Sequence, residues 1–126
     1  MKTATASRRA GFTLVEIMIV VAIIGLLAAI AIPNFVHSRA QSQATACINN
    51  MRQIDSAIQQ LAMEKGLHAG DTINYPSDVT PYIKLNSANS IPGCPAGGIY
   101  APAPVGNIPS VTCSLGNNVD PPHVLP

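Results

Sequence analysis

Glu16 is the first residue whose chemistry needs explaining. It is the one charged side chain in GFTLVEIMIVVAIIGLLAAIAI, residues 11–32. A bare carboxylate in hydrocarbon costs about 2.5–3.5 kcal/mol on insertion scales, so by default it marks function. A headgroup position would remove most of that cost, but it would also draw Phe12–Val15 into the interface. Just before the apolar run, Gly11 stands where a polar, basic leader meets Phe12. A cut after Gly11 would discard Lys2, Arg8 and Arg9 and keep the hydrophobic segment. An ordinary signal peptide is cut on the far side of a shorter apolar run, and no such site is evident here.

The other reactive side chains are dispersed. Cys47, Cys94 and Cys113 show no CxxC spacing, and His37, His68 and His123 no HxxxH spacing, which argues against a metal site. No nucleophile and base stand in a readable arrangement, so the histidines are expected at surfaces or interfaces and the chain is expected not to be an enzyme. Asp71, Asp78 and Asp120 could serve a calcium ion, but Asp is also an ordinary turn residue. Neither a metal nor a cofactor is expected. An aromatic content of 4% offers little for stacking on bases.

These residues must be positioned by a membrane-length helix. Phe12 to Ile32 as a helix would be about 31 Å long, which matches the roughly 30 Å hydrocarbon core of a bilayer. Lys2, Arg8 and Arg9 precede the span, and the positive-inside rule places them in the cytoplasm and the chain after Pro33 outside it. Without those three, four of the 7 basic side chains remain against 6 acidic ones. No basic stripe is left to hold nucleic acid. Ala22, Gly25 and Ala29 share one helical face, where small residues let helices approach closely. Pro33 removes a helical hydrogen bond and crowds the preceding turn, so a kink or break is expected there.

Gly11, Phe12, Thr13, Leu14, Glu16 and Pro33 together resemble the leader and first helix of type IV prepilins and type II secretion pseudopilins. The resemblance covers roughly residues 8–35. It implies that a membrane-embedded prepilin peptidase cuts between Gly11 and Phe12 and methylates the new amine of Phe12. It also implies that Glu16 pairs with the N-terminal amine of a neighbouring subunit in a homo-oligomeric filament built on an inner-membrane assembly platform. In the resembling filaments the segment equivalent to Gly25–Pro33 is partly unwound. The major pseudopilins carry a C-terminal calcium loop, which the spacing of Asp71, Asp78 and Asp120 does not reproduce. The implied protein is a single-pass inner-membrane precursor whose cap lies in the periplasm or on the cell surface. A pseudopilin of a type II secretion system is one alternative, and a non-polymerising, membrane-tethered binding module is another.

Beyond Pro33 the pattern becomes amphipathic. Ala44, Ile48, Met51, Ile54, Ile58 and Leu61 recur at spacings of three and four, the mark of one buried helical stripe. Cys47 falls beside that stripe. Gly66 suits the position after the helix, with Lys65 in its last turn. The expected fold class is α+β, with a leader at 1–11, a membrane or filament-core helix at 12–33, an amphipathic helix at 34–66 and a small cap at 67–126.

Ten of the 11 prolines lie in the cap, so turns dominate it. Ser77, Asp78 and Pro81 predict a short helix, capped by Ser77, through about Lys84. Ile99–Pro104 and Ile108–Cys113 predict a hairpin around Val105-Gly106-Asn107. A third strand is expected at His123–Leu125. So small a cap often needs a staple. Cys94 and Cys113 bracket the hairpin, and bridging them would close a loop of about 20 residues, worth about 3 kcal/mol in the chain-entropy model. Cys47 is then a buried thiol, or it takes either partner instead.

Overall fold

A computed structural model describes residues 10–126. The leader charges Lys2, Arg8 and Arg9 lie outside the described residues. The element order is a helix α1 (Leu14–Lys65), a short 3-10 helix (Thr80–Tyr82), and strands β1 (Tyr100–Pro102) and β2 (Val111–Cys113). The α+β class read from the sequence is correct. The chain divides into two units, at Val36 and His37.

In the first unit, every Val, Ile, Leu, Met and Phe from Phe12 to Val36 is at least 50% exposed. A helix apolar on all sides cannot satisfy the hydrophobic effect by itself and needs lipid or other helices around it. α1 is long and apolar enough here to cross a membrane. It stays α-helical through both Gly25 and Pro33, so the break that Pro33 suggested is absent. A proline forfeits one N–H donor, and the turns on either side keep their own bonds.

In the second unit, α1 buries Ala44, Cys47, Met51, Ile54, Ala57, Ile58 and Leu61. Cys47 therefore lies on the axis of the stripe and not beside it, while Ile48 is only partly buried. The steps 44, 47, 51, 54, 58 and 61 alternate three and four, which keeps one seam turned to the core. Val79, Tyr100, Val111 and Cys113 close over it.

α1 ends at Gly66, which adopts φ 64°, while Leu67 N–H donates back to Ala62 C=O at 2.9 Å. This six-to-one bond is a Schellman closure, and it needs a left-handed residue at Gly66. Gly66→Ala meets no steric obstacle but must hold that φ, so a loss of about 1 kcal/mol is expected in chemical denaturation.

The hairpin forms in shorter strands than the sequence suggested, with Tyr100 opposite Cys113, Ala101 opposite Thr112 and Pro102 opposite Val111. Pro102, Pro104 and Pro109 cannot donate to a ladder, which confines regular pairing to this patch. The third strand reduces to a single bridge between Gly116 and His123. The short helix is a three-residue 3-10 turn with no side-chain cap bond. Ser77 donates instead to Asn74 C=O at 3.1 Å. Asp78 accepts from Asn74 N–H at 3.0 Å, which holds its carboxyl below the usual range. With these local bonds the side chains of 74–78 stabilise a turn, not the start of an α-helix.

Candidate functional site: the start of the helix and a buried thiol cluster

The first unit presents its chemistry at the beginning of α1. Thr13 is the residue before the helix, and Glu16 is its third position. Glu16 Oε2 accepts from Thr13 N–H at 2.8 Å and from Thr13 Oγ1–H at 3.0 Å. Glu16 N–H donates to Thr13 Oγ1 at 3.2 Å. This is a reciprocal capping box, in which two otherwise orphaned amides find partners. The signal was present in the sequence as Thr13-Leu14-Val15-Glu16, a T-x-x-E pattern, but the reading of Glu16 as an intramembrane charge obscured it. The carboxylate thus has a local role in addition to any role between subunits, and its negative charge suits the positive end of the helix dipole.

Gly11 and Phe12 are exposed just before this box, with Phe12 at 87%. A protease could reach the bond between them. Ala22, Gly25 and Ala29 lie on the exposed surface of α1, as does Pro33.

The second unit holds an arrangement that sequence spacing did not reveal. Cys47 from α1, Cys94 from the loop before β1, Cys113 from β2 and His123 from the C-terminal bridge come together. One ligand atom from each lies within 4.8 Å of all the others, and all four residues are buried. Cys94 Sγ and His123 Nδ1 are 3.3 Å apart. His123, expected at a surface or interface, is instead 3% exposed within the cap, whereas His37 and His68 are exposed. The expected Cys94–Cys113 staple singled out two sulfurs where the fold gathers three, and all three cysteines are free thiols here. The expectation of no metal site rested on spacing along the chain, and the fold gathers four side chains that such spacing does not relate. His123 is thus the member of this site that sequence reasoning missed, whereas Cys47 was read as a buried thiol or as a partner of either other cysteine, without the histidine beside them. No sequence motif could have found it, because the four come from four separate segments.

Electrostatics around the cluster differ from one sulfur to the next. Burial pushes the Cys47 thiol up to about 12. Burial also raises Cys94, but the backbone of Ala96 and Gly98 together with the Cys47 and Cys113 side chains outweighs that and holds it below the ordinary thiol value. Tyr100 is raised by burial and by the neighbouring Cys47.

Two of the three aspartates considered for calcium, Asp71 and Asp78, serve turns. Asp71 accepts from His68 N–H at 2.7 Å, and Asp78 pairs with Lys65 at 3.6 Å. Among the described residues they join no group of three or more metal-capable side chains.

Known proteins resemble this chain at its beginning. The family described as the prokaryotic N-terminal methylation motif matches residues 6–32. The type IV major pilin protein PilA of Myxococcus xanthus is 50% identical over 58 residues, which are 46% of this chain and 26% of that protein. The type IV major fimbrial protein FimA of Dichelobacter nodosus is 46% identical over 65 residues, 52% of this chain and 41% of its own length. The fimbrial protein EcpC of Eikenella corrodens is 36% identical over 81 residues, 64% of this chain and 52% of that one. The chain thus spans about a quarter to a half of the length of these relatives. No solved structure matches it significantly. The resemblance read from Gly11, Phe12, Thr13, Leu14 and Glu16 holds at this level: the chain carries the prokaryotic N-terminal methylation motif on a helix apolar enough to cross a membrane.

Proposed function

We propose that this protein is a structural subunit of a type IV pilus-like filament, made as a membrane-anchored prepilin. The observation that carries the proposal is the pairing of the methylation motif at 6–32 with a helix whose apolar side chains from Phe12 to Val36 are all exposed. In the precursor, lipid covers that surface. In a filament, the same surface of neighbouring subunits replaces lipid, and the small residues Ala22, Gly25 and Ala29 allow close approach. Pro33 leaves one backbone carbonyl without its helical donor, a point where the helix can yield on packing.

In this proposal the prepilin peptidase cuts between Gly11 and Phe12 and methylates Phe12. Glu16 then stands four residues from a cationic amine and is available to the amine of a neighbouring subunit. The single-pass precursor sits in the inner membrane with its leader in the cytoplasm, and its cap faces the periplasm or the cell surface. The assembly platform and other pilins are its partners. Catalysis forms no part of this role. A pseudopilin of a secretion system is the less favoured reading, because the relatives above are named pilins and fimbrial proteins. A membrane-tethered binding module would need neither the Gly11–Phe12 junction nor Glu16.

Intact-mass measurement and N-terminal sequencing of the protein extracted from membranes test the processing step. The expected first residue is Phe12, carrying one methyl group. A first residue downstream of Pro33 would make the apolar helix a discarded signal and overturn the proposal.

A further inference from the structure

We propose that Cys47, Cys94, Cys113 and His123 bind one zinc ion as a structural Cys3His site within the cap. The inference stands on the second unit alone and does not depend on the filament reading.

The donor set is the first argument. Structural zinc takes four N and S ligands, with Zn–S near 2.3 Å and Zn–N near 2.0–2.1 Å, so the ligand atoms of a tetrahedron lie about 3.5–3.8 Å apart. The three sulfurs and the imidazole nitrogen here are all within 4.8 Å of one another. Small inward shifts of the side chains complete the tetrahedron. His123 already turns Nδ1 toward the sulfurs, 3.3 Å from Cys94 Sγ.

The walls of the site are the second argument. A Cβ placed on Gly98 would overlap Cys113 Sγ and lie 3.3 Å from Cys94 Sγ. Bare backbone is therefore kept beside two of the sulfurs. Asn50 Nδ2 donates to Gly93 C=O at 3.0 Å and to Tyr100 Oη at 3.3 Å. With its oxygen accepting from Asn50, the Tyr100 hydroxyl can direct its own hydrogen to Cys47 Sγ. Three thiolates, one neutral imidazole and Zn2+ leave a net charge of −1, and hydrogen-bond donors aimed at the sulfurs stabilise such a centre.

The economy of the fold is the third argument. Regular structure in the cap amounts to one 3-10 turn and two three-residue strands. An ion held by these four residues ties α1, the loop before β1, β2 and the C-terminal bridge at a single point, where binding free energy becomes folding free energy. A Cys94–Cys113 disulfide would use two of the four groups and leave a buried thiol and a buried imidazole against it. Zinc binding uses all four, releases three thiol protons and requires no oxidant.

The test uses the full chain in detergent, isolated from the membranes in which it was made and without added reductant. Elemental analysis is expected to find about one zinc per chain. After chelation and denaturation, all three cysteines are expected to take an alkyl group without reduction. Replacing zinc by Co2+ is expected to give thiolate-to-cobalt charge-transfer bands and the visible bands of a tetrahedral ion. His123→Cys preserves four ligands and is expected to keep one equivalent of cobalt. His123→Ala removes a ligand outright and is expected to weaken binding by more than the about tenfold that loss of an outer-shell partner alone can cost. Because His123→Cys must bind as the natural chain does while His123→Ala binds more weakly, simple misfolding cannot imitate the expected pair of results. Recovery of linked Cys94 and Cys113 peptides with only Cys47 alkylated would overturn the proposal. So would failure of the fully reduced chain to bind one equivalent of Co2+ or Zn2+.

Discussion

Glu16→Ala is expected to insert into membranes at least as well as the natural chain and to assemble no filaments. Removing the carboxylate relieves the membrane-insertion cost of about 2.5–3.5 kcal/mol. It also removes the charge that the amine of a neighbouring subunit would meet in the proposed filament. The capping box complicates the interpretation, since Glu16 accepts both the N–H and the hydroxyl of Thr13. Alanine keeps the bond from its own N–H to Thr13 Oγ1 but loses the carboxylate half of the box, which leaves the Thr13 N–H without its partner and loosens the first turn. Glu16→Gln separates the two roles. Glutamine at this helix position still completes a capping box but carries no charge. Both variants are expected to fail in assembly, measured as sheared filament yield against membrane-inserted protein. If Glu16→Gln assembled normally while Glu16→Ala did not, the cap alone would explain the residue. Normal yield from Glu16→Ala would remove any role for it in assembly.

Met51→Ala is expected to destabilise the cap by about 2–5 kcal/mol, the range for emptying a fully buried site of this size. Met51 has no exposed surface and lies in the same cluster as Ile54, Val79, Tyr100 and Val111. Denaturation of the full chain in detergent, followed by the near-ultraviolet signal of the tyrosines, reads the loss directly. Met63→Ala is the control. It stands on the same helix but is 77% exposed, and a change within about 0.5 kcal/mol is expected. Equal effects at the two positions would mean that the α1 stripe is not the floor of the cap.

Much of α1 was legible because its physics is local. Hydrophobicity around the whole circumference to Val36 and the three-four spacing from Ala44 onward are properties of residues close in the chain. The observed helix, Leu14–Lys65, ends within one residue of the expected bound at Gly66. The capping box is equally local, a T-x-x-E pattern over Thr13–Glu16, but the same carboxylate also reads as an intramembrane charge. Within the cap, the Tyr100–Cys113 pairing was foreseen in outline. Its short reach follows from Pro102, Pro104 and Pro109, whose missing donors were visible in advance. Ser77 misled because a serine before a proline-containing turn can cap a helix or bond back to the chain. Here it bonds to Asn74 C=O.

By itself, the sequence determined the methylation motif, the membrane-length helix and the face on which the cap would rest. Each depends on neighbours no more than a few turns apart. Only the tertiary structure decided the environment of Cys47, Cys94, Cys113 and His123. Their separations along the chain are far too long for periodicity or motif spacing to relate them. They meet because the α1 stripe, the β1–β2 pairing and the Gly116–His123 bridge each bring one segment to the same buried point. Contacts of that kind arise from the closure of the whole cap around its core, and no local preference encodes them.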